Sequence, residues 1–155
     1  MPAGPLREPL KRTDEADFIV SSSKLTRLKT KHKNYLMNYQ PIEWARIKDN
    51  KRFNANSWPL SKNVHAVAGI GNPAKFFNTL ISLGLNPIRH SFPDHYQFKE
   101  EDLDFGDTLP IIMTEKDAVR CLEMNSNNLW YLSVEAKFEN EDLAENILNK
   151  LSIKK

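Results

Sequence analysis

Residues 89–98, Arg-His-Ser-Phe-Pro-Asp-His-Tyr-Gln-Phe, place two histidines and an aspartate between aromatic side chains, just after the short apolar segment 85–88. A proline-containing loop that follows a strand is where α/β proteins usually display working side chains. A histidine in such a loop can take or hold a proton near neutral pH, and a neighbouring carboxylate can orient it. The stretch therefore predicts either a proton-handling site or an ordinary loop whose aromatic side chains cover the core.

A lysine and an aspartate follow another apolar segment, in the sequence Thr114-Glu115-Lys116-Asp117. As structure, this pattern predicts a helix that is capped by Thr114 and has Asp117 at its third position, a variant of the capping box. As function, a lysine and an aspartate after a buried strand can contact a nucleotide base or a phosphate. The residues alone leave both interpretations open.

Two glycines indicate a different kind of nucleotide site. Residues 69–74, Gly-Ile-Gly-Asn-Pro-Ala, match the dinucleotide pattern G-x-G-x-x-A between a predicted strand and a predicted helix. Asp94 follows at about the distance expected of a ribose-binding acid. Pro73, however, removes a backbone donor where an anion would need one, and Asp94 lies in a loop beyond the strand. The alternative explanation is a glycine that a close turn requires.

Several common sites are absent from the sequence. There is no G-x-x-x-x-G-K-[ST] phosphate loop and no G-x-S-x-G nucleophile pattern. The single cysteine, Cys121, and four scattered histidines give no metal-finger spacing, and one cysteine suits a reducing compartment. The 22 Lys and Arg residues against 20 Asp and Glu, a net charge of +2, exclude a strongly basic nucleic-acid binder as the default function. No apolar run approaches the length of a membrane span.

The elements that would position these residues alternate regularly from residue 64 onward. The hydrophobic pattern predicts strands at 64–68, 86–92, 109–113 and 129–134, and helices at 73–83, 114–124 and 140–151, with a helical turn at 100–105. Such alternation is typical of an α/β fold with a mainly parallel sheet flanked by helices in three layers. We assign this domain to residues 61–155.

The first part of the chain is less regular. Residues 1–16 begin with a proline-rich extended loop, and residues 17–60 contain a predicted strand at 17–22 and a basic amphipathic helix at 24–33. Short β segments at 35–39 and 41–47 and a further one around Phe53, with a turn at 49–51 that joins two of them, predict a β-hairpin linker. The basic helix could be attracted to phosphates or an anionic membrane surface, or could simply present a solvated face.

Four motifs occur in a fixed order along the chain. They are residues 2–9 (Pro-Ala-Gly-Pro-Leu-Arg-Glu-Pro), residues 64–73 (Val-His-Ala-Val-Ala-Gly-Ile-Gly-Asn-Pro), residues 92–95 (Phe-Pro-Asp-His) and residues 113–119 (Met-Thr-Glu-Lys-Asp-Ala-Val). Together they resemble the tetraacyldisaccharide 4'-kinases, the lipid A 4'-kinases of Gram-negative bacteria. Residues 30–60 carry little of this resemblance.

The resemblance implies an enzyme that uses ATP and Mg²⁺ to phosphorylate the 4'-hydroxyl of the lipid A disaccharide precursor, tetraacyldisaccharide 1-phosphate. It implies a cytoplasmic protein that is peripheral to the inner membrane, built from an N-terminal P-loop half and a smaller C-terminal α/β half. This chain resembles the second half, so residues 1–16 would be a loop left from the first. We therefore expect the P-loop half as a partner, no nucleic-acid partner, and no kinase activity from this chain alone.

Roles for single residues also come from the resemblance. His95 would be catalytic, pairing with an aspartate of the P-loop half that takes the proton from the sugar hydroxyl. Arg7 would bind phosphate groups of the lipid or nucleotide, and Glu8 would lie near the Mg²⁺–ATP site. The resemblance implies no metal site within this chain alone. Supporting roles would fall to Asp94, Lys116 and Asp117.

Two other functions stay open. The chain could be a free-standing nucleotide-binding module that uses Gly69-Ile70-Gly71, or a non-catalytic domain that binds a lipid or a partner through the basic helix at 24–33.

Overall fold

The apolar strand predicted at residues 64–68 forms an interior strand of a mainly parallel sheet in the computed structural model, which describes residues 10–22 and 33–153. This strand, β4 (Asn63–Ala68), pairs in parallel with β5 (Asn86–Ser91) on one side and with β6 (Ile111–Thr114) on the other. β6 pairs in parallel with β7 (Leu129–Phe138). Because parallel neighbours need crossover connections, helical segments connect these strands along the chain. The predicted α/β fold, a mainly parallel sheet with flanking helices, is confirmed.

Two apolar clusters cover the sheet within residues 41–135. Alternate side chains of a strand point to opposite faces, and β4 follows this rule. Ala66 packs with Phe77 and Leu80 in one cluster, whereas Val67 packs with Met113 in the other. The side chains of Ala66, Val67, Leu80 and Met113 are completely buried. This two-sided burial explains why apolar residues occupy the consecutive positions 66–68 rather than alternate positions.

The helix that follows β4, α1 (Pro73–Ser82), begins where the sequence predicts and ends one residue earlier. Asn72 caps its start, because its side-chain oxygen accepts a hydrogen bond from the backbone N–H of Lys75 at 3.4 Å. Pro73 occupies the first helical position, where its missing N–H costs no hydrogen bond. Gly84 follows the helix with a φ of 83°, the left-handed conformation that favours glycine.

The predicted hairpin linker forms, but its first strand is longer than expected. β2 (Asn34–Arg46) is one 13-residue strand rather than two short segments, and it pairs antiparallel with β3 (Arg52–Asn54). Pro41 falls between the residues that pair with β1 (Ile19–Ser21) and those that pair with β3. It therefore interrupts neither ladder, and the strand continues through it. Asn50 in the turn has a φ of 55°, which asparagine tolerates better than most residues.

Other boundaries differ from the predicted ones. α2 (Glu115–Ala118) tightens into a 3-10 turn at Val119–Cys121 instead of continuing to residue 124, as the last turns of helices often do. Another 3-10 turn, Glu100–Leu103, occupies the predicted helical turn. The basic helix expected at 24–33 lies outside the described residues except for Lys33.

The described residues form two units, one from Pro41–Glu135 and one from the residues before and after it. In the second unit, β1 pairs in parallel with the start of β2, and α3 (Leu143–Ile153) contributes Asn146, which donates a 3.0 Å hydrogen bond to the hydroxyl of Tyr35. The Lys33 ammonium pairs with Asp142 there.

In the described part of the chain, no helix has both the length and the apolar character needed to cross a membrane.

Candidate functional site

The motifs singled out from the sequence meet at one edge of the sheet. Gly69 follows β4, residues 92–98 follow β5, and Thr114 ends β6. These strands are parallel neighbours, with Ala68 paired to Ser91 and Val67 paired to Met113, so their carboxyl ends lie side by side. This edge is where ligands usually bind in open α/β sheets.

Asp117 is the buried centre of the site. Its side chain is completely buried, and its Oδ2 accepts hydrogen bonds from the Gly69 N–H at 3.0 Å and from Thr114 Oγ1 at 2.7 Å. Its Oδ1 accepts from Arg120 Nη1 at 2.9 Å. The carboxylate therefore ties together the end of β4, the end of β6 and the turn after α2, and the Arg120 guanidinium neutralises its charge.

The cap predicted for α2 is only half present. Thr114 Oγ1 accepts a hydrogen bond from the Asp117 N–H at 3.2 Å, as an N-cap should. The Asp117 carboxylate does not complete a capping box with the backbone of Thr114, since it bonds the Thr114 hydroxyl and the Gly69 amide instead. The Thr-x-x-Asp pattern thus starts a helix and also crosslinks two strands.

Gly69 is a glycine because the space beside its Cα is filled. A Cβ there would lie 3.2 Å from Asp117 Oδ1 and 3.2 Å from the Pro93 carbonyl oxygen. Gly71, by contrast, has no atom within 4 Å of such a Cβ. The dinucleotide interpretation of residues 69–74 would require backbone amides that are free to bind a phosphate. The Gly69 N–H is not free, because it is donated to Asp117.

His95 lies on a tight turn that is fixed to the end of β4. The Tyr96 N–H donates to the Pro93 carbonyl at 3.2 Å, which closes the turn, and the His95 N–H donates to the Gly69 carbonyl at 3.2 Å. His95 has a φ of 64°, in the left-handed region that few residues other than glycine occupy. Its side chain is 68% exposed, so the backbone is held while the ring faces solvent.

Charged groups on both sides contact the His95 ring. Arg120 Nη2 lies 3.1 Å from Nδ1, and Asp94 Oδ2 lies 3.8 Å from Nε2. Asp94 Oδ1 in turn accepts a hydrogen bond from the Lys116 ammonium at 3.2 Å. That bond lowers the pKa of the Asp94 carboxyl below its ordinary value, so Asp94 is ionised at neutral pH.

Aromatic side chains on either side of His95 in the sequence anchor the turn to the core. Phe92, Tyr96 and Phe98 form a trio with ring centroids 4.9 to 5.2 Å apart, and they pack on the apolar cluster around Val67. The Tyr96 hydroxyl donates to Asp102 at 3.2 Å. The two interpretations of residues 89–98 are therefore compatible, because the aromatic residues cover the core while His95 points outward.

His90, the other histidine of that stretch, belongs to a separate group. Its Nε2 lies 2.8 Å from Nδ1 of His65, whose Nε2 lies 3.1 Å from an oxygen of Asp107. The Phe105 ring stacks on both imidazoles, with centroids 4.2 Å from His65 and 4.0 Å from His90.

The structure brings four of the six residues suggested by the family resemblance into one group: His95, Asp94, Lys116 and Asp117. Arg7 and Glu8 lie outside the described residues. Arg120 was missed, because an arginine in a predicted helix ordinarily indicates a solvated face. Its spacing of three residues from Asp117 could have indicated an ion pair on that helix, but not the second contact with His95.

The described residues offer no preformed metal-ion site of their own. Across 10–22 and 33–153, no three His, Cys, Asp or Glu side chains are grouped so that they could hold a metal ion. The two carboxylates nearest His95 are already paired, Asp94 with Lys116 and Asp117 with Arg120. What the site offers is an exposed imidazole on a fixed turn, surrounded by paired charges.

Comparison with known proteins gives consistent matches. A family model described as tetraacyldisaccharide-1-P 4'-kinase, LpxK, matches residues 1–152. The tetraacyldisaccharide 4'-kinase of Hahella chejuensis is 42% identical over 137 residues, which cover 88% of this chain and 39% of that protein. The enzyme of the same name from Pseudomonas putida strain W619 is 40% identical over 136 residues, which cover 88% and 40%. The chain thus spans about two fifths of the length of these relatives.

A solved structure agrees with the sequence matches. The crystal structure of LpxK from Aquifex aeolicus in complex with ATP aligns with a TM-score of 0.69 and 26% sequence identity. The alignment covers 96% of this chain and 47% of that one. The likeness in fold therefore extends over nearly all of the chain.

Proposed function

Since the chain belongs to the tetraacyldisaccharide-1-P 4'-kinase family, we propose that it forms the His95-bearing part of an ATP-dependent lipid kinase. The complete enzyme would phosphorylate the 4'-hydroxyl of tetraacyldisaccharide 1-phosphate in lipid A biosynthesis, with Mg²⁺ and ATP. It would act as a cytoplasmic enzyme peripheral to the inner membrane. The match to a family of lipid A precursor kinases, together with a neighbour solved with ATP, supports this proposal.

The observation that carries the proposal is the combination of exposure and fixation at His95. The ring is 68% exposed, yet the peptide on which it sits is bonded to Gly69 and the ring itself contacts Arg120. A fixed, outward imidazole can meet a group brought by another stretch of polypeptide. In the proposed reaction that group is a carboxylate, which His95 holds in place while the carboxylate takes the proton of the sugar hydroxyl.

The other residues of the site have positioning roles in this proposal. Asp117 fixes the relative positions of β4, β6 and Arg120, and the pair between Asp94 and Lys116 flanks the ring. Arg7 would bind phosphate groups of the lipid or the nucleotide, and Glu8 would lie near Mg²⁺–ATP. A planar guanidinium suits phosphate because it donates two parallel hydrogen bonds.

We further propose that the 155-residue chain has no kinase activity alone. Phosphoryl transfer depends on positioning and on charge neutralisation by loop amides, a lysine and metal ions. The sequence contains no G-x-x-x-x-G-K-[ST] pattern that would supply them. A polypeptide with such a loop would be the chain's partner and would deliver the carboxylate that His95 meets.

The test is to supply the portion of the Hahella chejuensis relative that lies outside the match, fused to this chain or in trans. ATP-dependent phosphorylation of tetraacyldisaccharide 1-phosphate should appear only when both parts are present. His95→Ala should lower the restored rate by about 10²- to 10⁴-fold, the usual contribution of an acid–base group. Gln97→Ala, an exposed residue of the same loop, serves as the matched control and should leave the rate unchanged.

Two results would contradict the proposal. A restored rate that survives His95→Ala would remove His95 from the mechanism. Phosphate transfer by the purified chain alone, above that of a mock preparation, would show that no second polypeptide is required.

A further inference from the structure

We propose that Arg120 is a positioning residue that sets the tautomer of His95. In this arrangement the His95 ring carries its proton on Nε2 and presents a hydrogen-bond donor, not a proton acceptor, to the group it meets. The inference rests on the proposed function for the identity of that group, a carboxylate. The contacts of Arg120 support the assignment of the His95 tautomer.

Arg120 joins the buried centre of the site to the exposed ring. Its Nη1 donates to Asp117 at 2.9 Å, and its Nη2 lies 3.1 Å from His95 Nδ1. The Arg120 side chain is 15% exposed and that of Asp117 is fully buried. Because a guanidinium is planar and its donors have a fixed geometry, anchoring one nitrogen on Asp117 also fixes the direction of the other.

Hydrogen-bond chemistry then decides which nitrogen of His95 holds the proton. A guanidinium has donors only, so the atom that faces Arg120 Nη2 must accept. Nδ1 is therefore unprotonated, and a neutral ring must carry its proton on Nε2. Protonating Nδ1 as well would set two donors and two positive charges against each other at 3.1 Å.

The consequence for the reaction is a division of roles. Nδ1 faces Arg120, and the Asp94 carboxylate stays 3.8 Å from Nε2, beyond hydrogen-bond distance, so the Nε2–H is the polar group that His95 can offer to an incoming carboxylate. The carboxylate accepts that hydrogen bond with one oxygen and keeps the other for the proton of the sugar hydroxyl. The proton then moves to the carboxylate, while the His95 Nε2–H keeps it oriented.

The Arg120→Lys substitution separates this role from that of a simple ion pair. A lysine ammonium can still neutralise Asp117, but it is a point charge without the second, rigidly placed nitrogen. If Arg120 only stabilises Asp117, lysine should replace it. If Arg120 also sets the His95 ring, lysine should keep the fold and lose the ring's fixed tautomer.

The first measurement is ¹⁵N NMR of the histidine rings in the 155-residue chain above neutral pH. The unsubstituted chain should show Nδ1 of His95 unprotonated and Nε2 protonated. In Arg120→Lys the two nitrogen shifts should move toward each other as both tautomers exchange, while the rings of His65 and His90 report an unchanged fold. A proton on His95 Nδ1 in the unsubstituted chain would overturn the proposal without any variant, and so would identical His95 shifts in both proteins.

The second measurement uses the reassembled kinase. Arg120→Lys should lower kcat by roughly 10- to 100-fold, the effect of a misplaced catalytic group, with little change in KM. Added to His95→Ala, it should cause no further loss, because both changes remove the same function. A double variant whose loss of kcat equals the product of the two single losses would overturn the proposal. If the reassembled protein shows no kinase activity but the NMR result holds, the proposed function fails and the role of Arg120 toward His95 stands.

Discussion

His95 and His65 are both bonded to charged or polar neighbours within the unit of residues 41–135, but their surroundings are opposite. His95 is 68% exposed on a left-handed turn, and its neighbours are Arg120 and Asp94. His65 is 5% exposed, on a strand that is paired on both sides. Both of its ring nitrogens are occupied, one by His90 and one by Asp107.

The difference shows what each group can do. Every polar atom of the His65 ring already has a partner, and Phe105 covers its face, so the group stabilises the fold. At His95 the ring contacts Arg120 and Asp94 but stays 68% exposed, so part of it remains open to a further group. A backbone conformation that is rare for residues other than glycine, at an exposed polar side chain, is typical of sites where function rather than packing selects the residue.

The largest effect should come from the centre on which His95 depends. Asp117→Ala would leave the Arg120 charge, the Gly69 amide and the Thr114 hydroxyl without their acceptor, so we expect a loss of about 3–5 kcal/mol in the free energy of unfolding. Urea denaturation would measure it. Asp94→Ala, which breaks a half-exposed pair with Lys116, should leave the midpoint nearly unchanged. Equal losses from the two substitutions would mean that Asp117 is not the anchor of the site.

The same substitution at the two histidines tests the comparison directly. His65→Ala removes two hydrogen bonds and a stacked ring from a buried position, and should cost about 2 kcal/mol. His95→Ala changes an exposed side chain and should stay within about 0.5 kcal/mol. Thermal or urea unfolding of the two variants gives the values. A destabilising His95→Ala would indicate that this ring, too, serves mainly to hold the fold.

Two glycines offer a smaller, matched test of how closely the turn is packed on β4. In Gly69→Ala, the new Cβ would press on the Pro93 carbonyl and the Asp117 carboxylate at 3.2 Å, so a loss of roughly 1–3 kcal/mol is expected. Gly71→Ala has open space and should cost less than about 0.5 kcal/mol. Gly69→Ala should also lower the restored kinase rate, since it displaces the His95 turn. Indistinguishable variants would show that the turn adjusts freely.

Much of this arrangement follows from the sequence. The parts that do not follow from it share one cause. The order of strands and helices predicted the parallel sheet, and parallel strands bring Gly69, Asp94 and Thr114 to one edge whatever their separation in the chain. Which side chains then meet is a tertiary fact. His65 and His90 are 25 residues apart and His65 and Asp107 are 42 apart, so no local pattern joins them. The second contact of Arg120 likewise depends on a turn from a different strand.

The smallest effect we expect is a pH dependence of stability that arises from the titration of His90, the neighbour of His65. Burial, helped by the neighbouring His65, lowers the pKa of His90 below its ordinary value of 6.5. The unfolded chain therefore binds a proton at pH values where the folded chain does not, and stability falls as the pH drops below about 6.5. His90→Gln removes this titration, so its free energy of unfolding should fall less between about pH 7.5 and pH 5.5 than that of the unsubstituted chain. Urea denaturation at several pH values would compare them, and parallel curves would show that His90 has the same proton affinity in both states.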